Sequence, residues 1–196
     1  PPGAIRSCQP GGFLENSMEF PNIPDWLIDP ISLDFETSGL KYWKPDFQVY
    51  GYSIALPDGR WYIDMLNNPN EAENAISWLR RIMKDRLVIA QNAQYDYQCA
   101  RTLGINPRDS KWYCTMVSEC LIDEHHLKYD LHSICGYNGI QSRKKEHLDN
   151  LQAAMGLSSH QAVMENFASA PPDLAAAYAC SDADDAYAVY QVQQKG

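Results

Sequence analysis

The clearest structural signal in this chain is the segment Ile31-Ser-Leu-Asp-Phe-Glu-Thr-Ser-Gly-Leu40. It predicts a β-strand that ends at the turn signal Thr37-Ser-Gly39. Residues two apart on a strand project to the same face, so Asp34 and Glu36 lie side by side while Phe35 points the other way. Two adjacent carboxylates repel each other unless a cation joins them, and a divalent metal ion is such a cation. A solvent-facing strand edge with two unrelated acids is the alternative.

The pattern on either side of this stretch predicts alternating strands and helices. Strands are expected at 49–56 and 60–64, joined by the hairpin signal Pro57-Asp-Gly59. A helical stripe over 71–84 precedes a short apolar run at 87–90 that suits a buried strand. The remaining expected elements are a helix at 94–103, a strand at 112–115 followed by a helix to 122, a helix at 127–135, helical spacing at 160–168 and a last helix from 171 to 194. This order predicts an α/β fold whose mixed five-stranded sheet, an antiparallel meander plus parallel strands, is flanked by helices.

The composition is that of one acidic globular domain. The chain has 196 residues, of which 45% are hydrophobic and 21% are charged. Its net charge of −9 argues against binding nucleic acid by bulk electrostatics, because counterion release needs clustered Lys and Arg. It leaves room for an enzyme that holds a few nucleotides through metal ions. No membrane span or signal peptide is indicated, so we expect a cytoplasmic protein.

The N-terminal part differs in composition from the rest. Residues 1–25 carry repeated Pro and Gly, so we predict an irregular arm over 1–27 and place the domain at 28–196. The cysteines form no CxxC motif and lie in apolar stretches, which favours buried, reduced thiols. Among the charged residues, we expect the run 143–146 and the acids Asp184 and Asp185 on solvated surfaces. Contacts to a phosphate backbone are the alternative for Arg143, Lys144 and Lys145.

Two further acids stand where a site can form. The segment Gln91-Asn-Ala-Gln-Tyr-Asp96 joins a buried strand to a helix, and ligands gather at such strand ends. Asn92 and Asp96 share one side of the helix start, although helix capping would also explain both. On the last helix, Tyr178 and Asp182 are i, i+4 neighbours among alanines that allow close packing on the sheet. An acid on that face is nearly buried and requires a partner.

In this order and combination, the motifs resemble the DnaQ-like exonucleases of the ribonuclease H-like superfamily, which have an Asp-Glu-Asp-Asp metal site. More closely, the chain resembles the 3′-5′ exonuclease (proofreading) domain of family A, polymerase I-type DNA polymerases, over roughly 28–194. The matching motifs are 32–40, 89–96 and 178–184, with a similar stretch at 114–134. The sister class has a His five residues before the last Asp, where this chain has Ala177. Tyr178 therefore favours the tyrosine class.

The resemblance implies hydrolysis with two divalent cations, Mg²⁺ with Mn²⁺ able to substitute. Asp34 would bridge both ions, and Glu36 and Asp182 would complete the tighter site. Asp96 would hold the second ion largely through water. Tyr178 would orient the attacking water, and the product would be a 5′-mononucleotide.

The resemblance also implies a substrate, the 3′ end of single-stranded DNA. Leu40 matches an apolar wedge against the terminal bases, and ordinary core packing is the alternative for Leu40 and Tyr95. The other positions that match contacts to the terminal nucleotide are Thr37, Gln91, Asn92 and Tyr95. A polymerase domain, in the same chain or a partner chain of a bacterial or phage-infected cell, is the implied partner.

Two other functions stay open at this point. An RNA-trimming exonuclease of the ribonuclease D type shares the same metal site, and sequence does not place the contacts that discriminate the 2′-hydroxyl. A catalytically inactive scaffold is the second alternative. Inactive versions usually lose a metal carboxylate, whereas all four are present here, which makes the scaffold the poorer hypothesis.

Overall fold

A mixed, seven-stranded β-sheet flanked by helices forms the centre of the protein, seen in a computed structural model that describes residues 5–8, 14–17, 20–24 and 29–195. The order in the sheet is β2-β1-β5-β4-β3-β6-β7, with β3, β6 and β7 parallel and the other pairs antiparallel. The strands are β1 Ile5–Cys8, β2 Leu14–Ser17, β3 Ile31–Thr37, β4 Val49–Leu56, β5 Gly59–Asp64, β6 Leu87–Ala90 and β7 Lys111–Cys114. The helices are α1 Ala72–Met83, α2 Ala93–Thr102, α3 Thr115–Ile122, α4 Leu131–Tyr137, α5 Lys144–Met155, α6 His160–Glu165 and α7 Pro172–Gln193. The predicted α/β class is confirmed, including the meander β3-β4-β5 and its parallel extension.

The sheet has two strands more than the five expected. Both lie in the segment predicted to be an irregular arm: β1 pairs with β5 through Ile5 and Ile63, and β2 pairs with β1. Strands of four residues are too short to show an alternating pattern. The hydrogen bonds between β1 and β5 join residues distant in sequence, so a local pattern does not predict them. Other parts of the predicted arm, 1–4, 9–13, 18–19 and 25–27, lie outside the described residues.

Side chains along β3 alternate between the two faces of the sheet. Leu33 and Phe35 are buried in the main hydrophobic cluster, which includes Trp78 and Leu79 of α1. Because residues two apart share a face, the acids at 34 and 36 project to the other side, where α7 lies across β3, β4 and β5. Strand β3 therefore separates the core from the candidate site.

Small side chains let α7 pack closely against the sheet. Ala179 and Ala183 are fully buried, the first against Tyr62 of β5 and the second against Ala55 of β4. Because the side chains of these two α7 residues are single methyl groups, the helix backbone can approach the sheet closely. This approach places Asp182, the neighbour of Ala183, against the acidic face of β3.

Two helical expectations differ from the structure. The helix expected at 127–135 begins at Leu131, because the Asp130 side chain accepts a hydrogen bond from the backbone N–H of Ser133 and caps it there. In 138–170, where the pattern was weak, α5 and α6 form and pack against each other. The low apolar content of α5 explains why its periodicity gave little signal.

The expectation of six reduced thiols was wrong for two of them. Cys8 of β1 and Cys180 of α7 form a disulfide. Their separation in sequence is 172 residues, so no local motif connects them, and only the pairing of β1 beneath α7 brings them together. The free cysteines are Cys99, Cys114, Cys120 and Cys135. Within the described residues, none of the helices has the length and apolar character needed to cross a bilayer.

Candidate metal site and active site

Three carboxylates from distant parts of the sequence converge between β3 and α7. Asp34 and Glu36 project from β3 and Asp182 from α7, and one oxygen of each lies within 4.8 Å of the others. Glu36 and Asp182 are only 5% and 6% exposed. This spacing suits oxygen ligands that share one cation.

Burial and mutual repulsion raise the pKa values of these carboxyl groups. Burial, followed by the charge of Asp182, raises the pKa of Asp34 to about 7, although Lys144 opposes the shift. Burial raises the pKa of Glu36 well above its usual value, and the charges of Asp34 and Asp182 add to the effect. Burial also raises the pKa of Asp182, against the influence of Lys144. A cluster of this kind needs positive charge to stay ionised.

Asp182 has one oxygen that makes no hydrogen bond within the described part of the chain. This atom, Oδ1, is buried, whereas Oδ2 accepts a hydrogen bond from Nζ of Lys144 at 2.7 Å. A buried carboxylate oxygen without a partner is costly, and a hard cation would satisfy it. The donor set of the three carboxylates therefore fits a divalent metal ion such as Mg²⁺.

Asp96 lies beside this group without belonging to it. Its carboxylate is 2% exposed and accepts a hydrogen bond from the backbone N–H of Phe35. Burial and the charge of Asp34 raise its pKa well above the usual value. The α2 start thus brings a fourth acid near Asp34, outside the ligand spacing of the other three.

Tyr178 is buried one helical turn before Asp182. Its ring packs against Phe167, with 5.8 Å between the two ring centroids. Nζ of Lys144 lies 5.4 Å from the centroid of the Tyr178 ring. Burial, then the charges of Asp182 and Glu36, raise the pKa of Tyr178, so its hydroxyl stays protonated and can donate a hydrogen bond.

Thr37 and Tyr95 join the end of β3 to α2. Their hydroxyl oxygens lie 2.6 Å apart, and the Tyr95 hydroxyl donates to the carbonyl of Gly39 at 2.8 Å. The pairing register of β3 with β4 shifts between Glu36 and Thr37, so the ladder is irregular directly after the acids. Tyr95 is partly buried against the main core, as its core-packing alternative expected.

An exposed apolar surface follows β3. Leu40 is 78% exposed and Trp43 is 68% exposed, so core packing does not account for Leu40. The ring of Tyr42 lies between them in sequence and contacts both Trp43 and Tyr95 edge-on, at centroid distances of 5.1 and 6.4 Å. Apolar and aromatic groups are thus presented to solvent near the carboxylates.

Gln91 and Asn92 have different environments. The Gln91 side chain donates to the carbonyl of Tyr129 at 2.8 Å and accepts from the Thr115 hydroxyl at 2.5 Å, so it ties β6 to the α3–α4 region. Asn92 is exposed, adopts a left-handed conformation with φ 55°, and makes no capping hydrogen bond with its side chain. The capping alternative for Asn92 is therefore not observed.

Sequence reasoning missed Lys144. It was expected on a solvated surface with the rest of 143–146, but its ammonium reaches Asp182. A lysine at the first residue of a helix is unfavourable because its charge opposes the helix dipole. This would have indicated an acidic partner for Lys144, but only if the start of α5 had been known.

Asp185 was also expected in solvent, and this was wrong. It is 7% exposed and accepts a hydrogen bond from the Ser142 hydroxyl, because α7 is covered on that side by the segment before α5. Burial raises the pKa of Asp185 to about 6, against the influence of Ser142. Asp184 is half exposed and paired with Arg60.

A mixed sheet in which an interior strand and the last helix bring carboxylates together has the architecture of a ribonuclease H-like exonuclease. Residues 14–195 match the protein family described as 3′-5′ exonuclease. The chain therefore belongs to the 3′-5′ exonuclease family found in family A DNA polymerases, as the sequence motifs predicted.

Curated relatives of the chain are phage proteins named DNA polymerase DpoZ. The protein of Acinetobacter phage SH-Ab 15497 is 34% identical over 180 residues, which are 90% of this chain and 28% of that protein. The protein of Vibrio phage phiVC8 is 31% identical over 169 residues, 78% of this chain and 26% of that protein. The chain thus spans little more than a quarter of the length of these relatives.

Solved structures of Brucella melitensis NrnC share the fold. NrnC bound to pGG aligns with a TM-score of 0.62 and 19% identity, covering 90% of this chain and 76% of that one. NrnC with bound Mg²⁺ aligns with a TM-score of 0.55 and 18% identity, covering 90% of this chain and 77% of the NrnC chain. Likeness at this identity is evidence for the fold alone.

Proposed function

We propose that the chain is a divalent-metal-dependent exonuclease that removes 5′-mononucleotides from the 3′ end of single-stranded DNA. The observation that carries this proposal is the convergence of Asp34, Glu36 and Asp182 at ligand spacing, with a buried oxygen of Asp182 lacking a partner among the described residues. Membership of the exonuclease family supports the reaction class, and the carboxylate cluster is the proposed active site.

Asp34, Glu36 and Asp182 would hold the first cation. Asp96, outside their spacing but close enough to influence Asp34, would support a second cation through water. Two Mg²⁺ ions, with Mn²⁺ able to substitute, would stabilise the attacking and leaving oxygens of the phosphodiester. The protonated Tyr178 hydroxyl would donate a hydrogen bond that orients the attacking water.

The surface next to the carboxylates would bind the terminal nucleotides. Leu40 is exposed enough to press against a base, and the Thr37–Tyr95 pair fixes the strand end beneath it. Asn92, exposed at the start of α2, would contact the sugar or phosphate. Gln91 would act indirectly, because its amide already holds Thr115 and Tyr129.

DNA is the favoured substrate because the curated relatives are named DNA polymerases. We further propose that the chain serves as the proofreading part of such a polymerase, in a bacterial or phage-infected cell. Trimming of RNA ends is the second candidate, since a fold neighbour was solved with pGG bound. The low identity to that neighbour makes the DNA proposal the stronger one.

Digestion of matched oligonucleotides tests the proposal. DNA and RNA of the same sequence, labelled at the 5′ end, would be incubated with Mg²⁺, Mn²⁺ or EDTA. We expect a ladder that shortens from the 3′ end on DNA, absent with EDTA and with Asp34→Ala. Glu73→Gln, an exposed acid on α1 across the sheet, serves as the matched control. Much faster cleavage of RNA would overturn the DNA assignment, and no cleavage of either would favour an inactive scaffold.

A further inference from the structure

Lys144 is a positively charged group directly bound to the carboxylate cluster. Its Nζ donates to Oδ2 of Asp182 at 2.7 Å and lies 5.4 Å from the centroid of the Tyr178 ring. Only 29% of its side chain is exposed. Its ion pair with Asp182 brings the ammonium to a cluster that also contains the carboxylates of Asp34 and Glu36.

The neighbours of Lys144 on α5 behave differently. Lys145 pairs with Asp149 one turn along the helix and its side chain is 72% exposed. Arg143 pairs with Glu146 in solvent, with 60% of its side chain exposed. Only Lys144 of this run turns toward α7, although a lysine at a helix N-terminus is electrostatically unfavourable. The contact with the carboxylates, and not the helix, therefore accounts for its position.

We propose that Lys144 is an exchangeable counter-ion, which neutralises the carboxylate cluster in the metal-free protein and gives up Asp182 when a divalent cation binds. The inference rests on the metal site of the proposed function. It adds that the Lys144 ammonium, at the start of α5, competes with the divalent cation for Asp182.

The two oxygens of Asp182 give this exchange a structural route. Oδ2 is engaged by Lys144, whereas Oδ1 is buried and without a partner among the described residues. A cation from solution can first bind Oδ1 while the ammonium still holds Oδ2. As the divalent charge takes over neutralisation of the cluster, repulsion between the two cations drives the ammonium out toward solvent, which its partial exposure permits.

Two consequences follow for a protein without this ammonium. The metal-free form becomes less stable, because three neighbouring carboxylates, two of them buried, repel each other without a counter-ion. Metal binding becomes tighter, because the incoming ion no longer competes with a bound cation. A lysine that merely packs against the site would change stability with and without metal alike.

The experiment measures thermal unfolding and Mn²⁺ affinity for the whole chain, at one fixed pH and ionic strength. Lys144→Met removes the charge, Lys144→Arg keeps it, and Lys145→Met is the matched control on the same helix. We expect Lys144→Met to have a lower unfolding midpoint in EDTA and a Mn²⁺ dissociation constant at least about fivefold lower by calorimetry. The midpoint difference should shrink or reverse with saturating Mn²⁺, and the Arg and control variants should resemble the unmodified protein.

A second measurement needs no substitution, in case Lys144→Met does not fold. Amine acylation followed by peptide mass spectrometry compares Lys144 with Lys145 in EDTA and in Mg²⁺. We expect Mg²⁺ to increase labelling of Lys144 several-fold relative to Lys145. Unchanged labelling, or a Mn²⁺ affinity that is equal or weaker in Lys144→Met, overturns the exchange while leaving the metal site intact. If the unmodified protein binds no Mn²⁺ at all, the proposed function and the exchange both fail.

Discussion

Asp34 and Asp182 stand at opposite ends of the domain's sequence, yet they bring carboxylate oxygens within 4.8 Å of each other. Asp34 lies on β3, and Asp182 lies on a helix that contacts the sheet through alanines. The spacing of the carboxylates, and with it the proposed metal site, is therefore sensitive to the distance between α7 and the sheet. The alanines of α7, which have no polar side-chain atom, therefore matter for the position of the carboxylates.

Ala183→Leu should disturb the site without touching a carboxylate. Ala183 is fully buried between α7 and the sheet, so added bulk pushes the helix outward and moves Asp182 away from β3. We expect a loss of about 1–3 kcal/mol in the free energy of unfolding, measured with urea, and weaker Mn²⁺ binding. Ala188→Leu, at a less buried position of α7, is the control. Unaltered Mn²⁺ affinity in Ala183→Leu would show that α7 does not set the site.

Tyr178→Phe removes the hydroxyl and keeps the ring, so it distinguishes the role of one from that of the other. The ring packing against Phe167 is kept, so the free energy of unfolding should change by less than about 1 kcal/mol. If the hydroxyl orients the attacking water, kcat on single-stranded DNA should fall by about 10²-fold while Mn²⁺ affinity stays the same. Single-turnover kinetics and calorimetry check both parts. A variant with unreduced kcat would remove Tyr178 from the mechanism.

Gly51→Ala should destabilise the sheet beside the site. Gly51 pairs with Glu36 across β3 and β4, and a Cβ there would lie 2.3 Å from the carbonyl oxygen of Ile63. Strand backbone cannot easily yield, so we expect the free energy of unfolding to fall by about 2 kcal/mol or more. Gly136→Ala is the matched control, since a Cβ on that helical glycine meets nothing within 4 Å. It should be neutral or stabilising by about 0.5–1 kcal/mol. Equal effects of the two substitutions would contradict the close approach at Gly51.

Asp185 gives the stability a defined pH dependence. Its pKa is raised from 3.8 to about 6 by burial, so the folded protein holds this proton more tightly than the unfolded chain. The resulting stabilisation is complete below about pH 4 and is lost as the pH rises through about 6. Asp185→Asn should be more stable than the unmodified protein at pH 8, by about 1–3 kcal/mol, and this gain should vanish near pH 4. A constant difference across this range, measured by urea unfolding, would contradict the raised pKa.

Short-range patterns were enough to predict most residues of the candidate site. The period of two along β3 placed Asp34 and Glu36 together, and the i, i+4 spacing on α7 paired Tyr178 with Asp182. The strand meander was equally evident, because its hairpin turn lies between two apolar runs. These features depend on residues close in sequence, which is why they could be predicted.

The features that were missed depend on tertiary contacts. Lys144 looked like part of a charged surface run, and only the packing of α5 on α7 turns it toward Asp182. The disulfide of Cys8 with Cys180 depends on β1, a strand too short to predict, lying beneath α7. Asp185 is buried by a segment distant in sequence. No local pattern reports contacts of this kind.

The most direct test of the metal site as the catalytic centre is the rate of nucleotide release from labelled single-stranded DNA in Mg²⁺, compared between Asp182→Asn and Asp184→Asn. The two acids are close neighbours on α7, but one faces the carboxylate cluster and the other pairs with Arg60 at the surface. We predict that Asp182→Asn lowers the rate by at least about 10²-fold while Asp184→Asn keeps it. A normal rate in Asp182→Asn, in protein shown to be folded, would contradict the account.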